Sequence, residues 1–148
     1  MSNRKFCKFA RYTGFTLIEL MIVIVIGSIL MTIAIPAYTS QVRKSRRTEA
    51  RTAVLDLAAR EERFLSTNNT YTQTPSDLGY SGSFPQSIGS GYYLLGVQVP
   101  DPSPLAAATS YLITATATGT QTGDTSCLSF TVNQIGQQIS APDATCWK

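Results

Sequence analysis

The chain contains no histidine. Serine and threonine are plentiful, but without an imidazole the usual pairing of a nucleophile with its base is missing. Cysteine is scarce as well, at three residues. Cys7 stands ahead of a long apolar run, which leaves Cys127 and Cys146 as the pair beyond it. Two thiols with eighteen residues between them, and no histidine, make a poor metal site. No internal repeat, glycine-rich phosphate loop or metal motif is present. These gaps argue against an enzyme and imply neither a metal nor a cofactor. In a small exported domain the cysteine pair reads as a disulfide, worth about 3 kcal/mol in the chain-entropy picture.

Charged residues are also few, at 14% of the chain, and they are unevenly placed. Arg4, Lys5, Lys8 and Arg11 precede the apolar run; Arg43, Lys44, Arg46, Arg47 and Arg51, offset by Glu49, follow it. From Thr52 onward Arg60, Arg63 and Lys148 face Asp56, Glu61, Glu62, Asp77, Asp101, Asp124 and Asp143, a net charge of −4. An acidic outer portion removes the usual support for general nucleic-acid binding. Arg43, Arg47 and Arg51 share one helical stripe. That stripe suits lipid headgroups, or acidic neighbours in an assembly, better than it suits DNA capture.

What is present in quantity is one oily segment. Phe15 to Ile35 is a run of twenty-one residues broken only by Glu19 and small or hydroxylated side chains. As a helix it spans ~32 Å, which matches a bilayer core. It is too long for the core of an ordinary signal peptide, and Pro36-Ala37-Tyr38 is a weak site for that kind of cleavage. Basic residues flank both ends equally, so charge does not fix orientation. The cysteine pair does, because a disulfide places the C-terminal portion in an oxidising compartment. Glu19 is the anomaly: a carboxylate within an apolar helix costs a few kcal/mol and marks function.

A basic stretch, then glycine, then an apolar run with glutamate at its fifth position closely resembles the type IV prepilin signature. Gly14-Phe15-Thr16-Leu17-Ile18-Glu19-Leu20-Met21 carries that likeness, and it continues through Pro36-Ala37-Tyr38. The resemblance implies that residues 1–14 are a leader, cut by a prepilin peptidase between Gly14 and Phe15, with N-methylation of Phe15. It implies that Glu19 meets the amino terminus of a neighbouring subunit, a buried pair that sets assembly register. Glycine falls at Gly27 where the family often has it one position later. In related filaments the stretch between such a glycine and Pro36 unwinds on assembly. Arg46–Arg51, Arg60–Phe64, Asn69–Thr72, Tyr111–Ala115 and the closing Cys146-Trp147-Lys148 are similar to PilE-like minor pilins.

The expected fold is α+β, of the type IV pilin kind. A long N-terminal helix, membrane-spanning in its first half and amphipathic in its second, packs on an antiparallel sheet of about four strands. Residues 15–36 form the transmembrane and assembly helix. Residues 37–148 form a periplasmic head. Ala50, Ala53, Val54, Leu57, Ala58, Phe64 and Leu65 recur at helical spacing beyond Pro36, so the proline kinks the helix and does not stop it. Asp56 and Arg60 stand one turn apart and can pair, while the adjacent carboxylates Glu61-Glu62 read as solvated surface. The helix is expected to stop at Thr67-Asn68-Asn69. A connecting loop (68–91) follows, with Tyr71, Tyr80 and Phe84 as its anchors. Strands are expected over 92–99, 110–118, 127–133 and 136–140. The third would place Cys127 on the face opposite Leu128, Phe130 and Val132, and Cys146 would pin the tail to Cys127.

Together these readings give a minor structural subunit of a type IV pilus that supports assembly and twitching motility. It would sit in the inner membrane before assembly and in the extracellular pilus afterwards. Its partners would be other pilin subunits, the prepilin peptidase and the inner-membrane platform. A major pilin, a DNA-uptake receptor pilin and a type II secretion pseudopilin are the alternatives.

Overall fold

The computed structural model describes residues 14–100 and 108–147. Residues 1–13 of the expected leader, with Cys7, the Asp101-Pro102 turn and Lys148 lie outside them. The chain forms two compact units, Met1–Thr39 and Ser40–Lys148. One helix, α1 (Leu17–Asn68), contributes to both.

In the first unit α1 is lined by leucine, isoleucine, valine and methionine, and its most apolar stretch has a mean hydropathy of 2.7 with none of it buried. It runs unbroken through Gly27 and Pro36. Its hydroxyls turn back on the helix. Ser28, Thr32 and Thr39 donate to the carbonyls of Val25, Ile29 and Pro36 at 2.7–2.9 Å, so these hydroxyls are satisfied within the helix.

In the second unit the same helix narrows to one apolar stripe. Ala50, Val54, Leu57 and Ala58 are buried, with Ala53, Phe64 and Leu65 partly so. The helix ends where asparagine permits it: Asn69 takes a left-handed φ of 55°, and its N–H reaches the Leu65 carbonyl at 2.8 Å. Five strands follow in simple antiparallel order: β1 (Gln86–Ile88), β2 (Tyr93–Gln98), β3 (Leu112–Ala117), β4 (Cys127–Asn133) and β5 (Gln138–Pro142). Tyr93, Leu95, Val97, Ile113, Ala115, Phe130 and Val132 form the sheet's share of the core. Burial of these side chains is worth roughly 1.5–3 kcal/mol for each large one. The loop anchors are in place. Tyr71 meets Tyr111 edge to face at 4.8 Å, and Tyr80 stacks near Phe84 and donates to Asp56 at 3.2 Å.

Four expectations need correction. The sheet has five strands, because β1 lies within the segment read as a loop. Three residues are too few to show alternation, and β1 is defined by its pairing with Tyr93–Leu95 alone. The last strand starts two residues later than expected, since Gly136, at φ 73°, belongs to the turn. Asn133 organises that turn. Its side-chain oxygen accepts from the N–H groups of Ile135 and Gln137, and Ile135 stands 76% exposed at the tip. Third, a bulge between Cys127 and Ser129 breaks the alternation of β4, so Cys127 and Phe130 both enter the core.

The fourth concerns Glu61, which is fully buried. It lies on the same stripe as Ala50, Val54 and Leu57, whereas Glu62 is exposed. One Glu61 oxygen accepts from the Thr72 N–H at 3.2 Å; the other has no partner. The Asp56–Arg60 pair forms as expected, at 2.8 Å.

Glu49 ties the sheet to the helix. Its carboxylate accepts from the Ser90 N–H at 2.8 Å and the Ser90 hydroxyl at 3.0 Å. Gly89 makes this possible: it holds φ 48°, and a Cβ there would overlap the Glu49 carboxylate.

Burial raises the Glu61 pKa from 4.5 to about 7. The folded chain therefore holds that proton more tightly than the unfolded chain, and stability falls as pH rises from 4.5 to about 7, then levels off. Glu61→Gln should flatten that decline and leave the protein about 2 kcal/mol more stable than the parent at pH 8. Urea unfolding at pH 5 and pH 8 checks this; equal pH slopes in both proteins would contradict it.

Candidate functional site

The first site is the start of α1. Gly14, Phe15 and Thr16 precede the helix, with Phe15 84% exposed, and a Cβ at Gly14 would meet nothing within 4 Å. Thr16 is the N-cap: its hydroxyl oxygen accepts the Glu19 N–H at 3.3 Å. Glu19 occupies the first turn and is exposed. There a carboxylate is favoured by the positive end of the helix dipole. The Thr16-x-x-Glu19 spacing is a capping-box signature legible in the sequence, although attention to Glu19 as a lone charge passes over it. Among the described residues the ion pairs are Arg47–Asp124 and Arg60–Asp56, and Glu19 belongs to neither. Pro36 lies further along the same helix.

The second site joins the basic stretch of α1 to the tail. Arg47 grips Asp124 with two bonds, at 2.6 and 2.5 Å. This bidentate bond raises the Arg47 pKa further above its usual value. Asp124 is buried and also accepts from Gln121 at 3.0 Å; Gln121 in turn donates to the Tyr93 hydroxyl, which donates to the Cys127 carbonyl. Arg46 lies over the Tyr92 ring at 3.3 Å and reaches Thr120 and Gln121. Arg51 donates to the Trp147 carbonyl at 3.1 Å. Three of the five cations that follow the apolar run, Arg46, Arg47 and Arg51, are thus occupied within their own unit.

Cys127 and Cys146 are bonded, with Cα atoms 5.9 Å apart. The tail is knitted further by Trp147, whose indole N–H donates to the Ile139 carbonyl at 2.8 Å and whose ring meets Phe130 edge to face. Between tail and helix lies a cleft of about 480 Å³ lined by Lys44, Arg47, Thr48, Arg51, Ser126, Asp143 and Thr145 beside the disulfide. Among the described residues no group of acidic, cysteine or histidine side chains could hold a metal ion.

Residues 10–35 match the prokaryotic N-terminal methylation motif, and residues 36–131 match the family described as type IV minor pilin ComP, DNA uptake sequence receptor. The chain belongs to the type IV pilins. Such proteins assemble into pili with other pilin subunits, and the families matched here are structural. Over 71 residues the pilin is 38% identical to the type IV major pilin protein PilA of Myxococcus xanthus, a match covering 48% of this chain and 32% of that one. It therefore spans about a third of that relative's length. A solved type IV pilin from Shewanella oneidensis aligns with a TM-score of 0.49 and 22% identity over 72% of this pilin and 98% of that chain.

The grip of Arg47 on Asp124 is open to a direct test. Asp124→Ala should destabilise the pilin by about 2 kcal/mol, since it strips a half-buried guanidinium of its partner. A double-mutant cycle with Arg47→Ala should return a coupling of about 1 kcal/mol or more. A coupling near zero in urea unfolding would remove the pair from the account.

Proposed function

We propose that this pilin is a minor structural subunit of a type IV pilus and carries no catalytic site. In this reading a prepilin peptidase cuts between Gly14 and Phe15, and Phe15 is N-methylated. Residues 15–36 hold the subunit in the inner membrane with the disulfide-closed head in the periplasm. The assembly platform then passes it into the extracellular filament, where it supports assembly and twitching motility.

The observation that carries the proposal is the apolar stretch of α1, none of it buried, bearing a single carboxylate, Glu19, in the first turn. Such a surface is stable in lipid or among like helices and nowhere in water. The charge finds its partner when the amino terminus of a neighbour comes alongside, so leaving lipid and gaining register occur together. Glu19→Val should still be processed, yet appear in sheared filaments at a small fraction of the parent level. Immunoblots of sheared and membrane fractions check this, and normal incorporation would refute the role of that carboxylate.

A second reading is favoured by the match of residues 36–131 to a family described as a DNA uptake sequence receptor: the head binds DNA. Against it stand the net −4 charge beyond Thr52 and the occupied arginines of the stem. Mature protein in nonionic micelles, mixed with labelled duplex, separates the two. Under the first reading no shift appears even at low salt. Binding that weakens steeply as salt rises would establish the second.

A further inference from the structure

We propose that Glu61 is a protonation-gated latch: neutral, it holds the Thr70–Thr74 segment on the end of α1, and ionised, it lets that segment go. The geometry is that of an acid with no counter-charge. Glu61 is fully buried, its Oε2 accepts from the Thr72 N–H, and its Oε1 has no partner.

The titratable groups that face it are acidic on every side among the described residues. Glu62 lies on its own helix, Tyr71 on the segment it holds, Asp77 on the 3-10 turn Pro75–Leu78, and Tyr111 at the entry to β3. Arg60, the preceding residue, turns to Asp56 and to the Leu78 carbonyl; Arg63 is exposed. A buried carboxylate in such company is tolerable as the neutral acid and strained as the anion: the Thr72 N–H bond favours the anion, but the loss of hydration outweighs it. Its proton is held up to about pH 7, which sets the latch within the neutral range.

Beyond the Tyr71 ring, which is buried against Tyr111, the segment is held by hydrogen bonds. Its outer ties are few and lie near water. Tyr71 donates its hydroxyl to Glu62 at 3.1 Å, and Thr72 donates to Asp77 at 3.0 Å, both to carboxylates. Its inner ties are the Tyr71 N–H to the Ala108 carbonyl at 3.1 Å, the Ala108 N–H to the Thr70 hydroxyl at 2.9 Å, and the Thr72 bond to Glu61 itself. On either side the chain is pinned more firmly, by the end of α1 and by the buried Leu78. Ionising Glu61 draws water toward its unpartnered oxygen, and the segment that carries its one hydrogen-bond donor is the part that opens. Opening it solvates the charge and leaves the sheet intact, a local release of the kind hydrogen exchange detects. The shape of the head around Tyr71 then depends on pH, whatever the subunit's place in the filament.

The test uses the whole protein in nonionic micelles, reading the Glu61 carboxyl carbon by NMR together with amide protection factors. The carboxyl should titrate near neutrality. Protection at Tyr71 and Thr72 should fall about tenfold between about pH 5.5 and about pH 8.5, after correction for intrinsic exchange, while Ala115 in β3 stays unchanged. Glu61→Gln should keep the segment closed across that range, and Glu62→Gln should retain the switch. A carboxyl that titrates below about pH 5, flat protection at Thr72, or an undiminished fall in Glu61→Gln would each overturn the latch. Should Glu61→Gln not fold, the carboxyl titration and the Thr72 protection of the parent protein still decide.

Discussion

Between Leu17 and Thr39, α1 carries apolar side chains on every side and none of its most apolar stretch is buried. Between Ser40 and Asn68 the same helix buries one apolar stripe against a sheet. One helix therefore carries two kinds of surface, the first of them consistent with membrane anchoring, and most other features follow from that division. A surface this apolar demands lipid or other helices. The head must fold against a single stripe, which a small sheet can cover. The hydroxyls of Ser28, Thr32 and Thr39 and the Thr16 cap are satisfied within the helix or at its end, while the Glu19 carboxylate is left exposed.

Within the head, acids are handled in contrasting ways. Asp124 is buried but accepts a two-point grip from Arg47 and a bond from Gln121, and so ties the stem to the sheet. Glu49 uses the N–H and hydroxyl of one turn residue. Among the described residues Glu61 has neither a cation nor a full set of donors, and protonation is its only inexpensive state. The difference is positional. The cations of this pilin gather before Thr52, within reach of Asp124, and the Glu61 end of the stripe is surrounded by acids and tyrosines.

Much of this was legible in the residues. The helix was visible from its stripe and its asparagine stop, the central strands from their alternation, and the disulfide from the absence of other partners. The pilin signature around Gly14 and Glu19 identified the family before any geometry. What escaped did so for local reasons. β1 is too short to carry a period and exists only as a partner of β2. The bulge at Cys127 is a backbone event with no composition of its own. Glu61 was misread as half of an adjacent pair, when its register with Ala50, Val54 and Leu57 placed it inside. The clasp between Glu49 and Ser90 joins residues forty-one apart, and nothing in either neighbourhood announces the other.

The two hairpin turns at the ends of the sheet differ in a way that matters for anyone wishing to mark the molecule. The one at Gly89–Ser90 is gripped by the helix, so a dye or peptide tag inserted there would prise the sheet from its support. The one at Asn133–Gln137 keeps its bonds to itself and displays Ile135 to solvent. A cysteine-reactive fluorophore placed at that tip would leave the clasp and the core untouched, which makes it the natural handle for following single subunits.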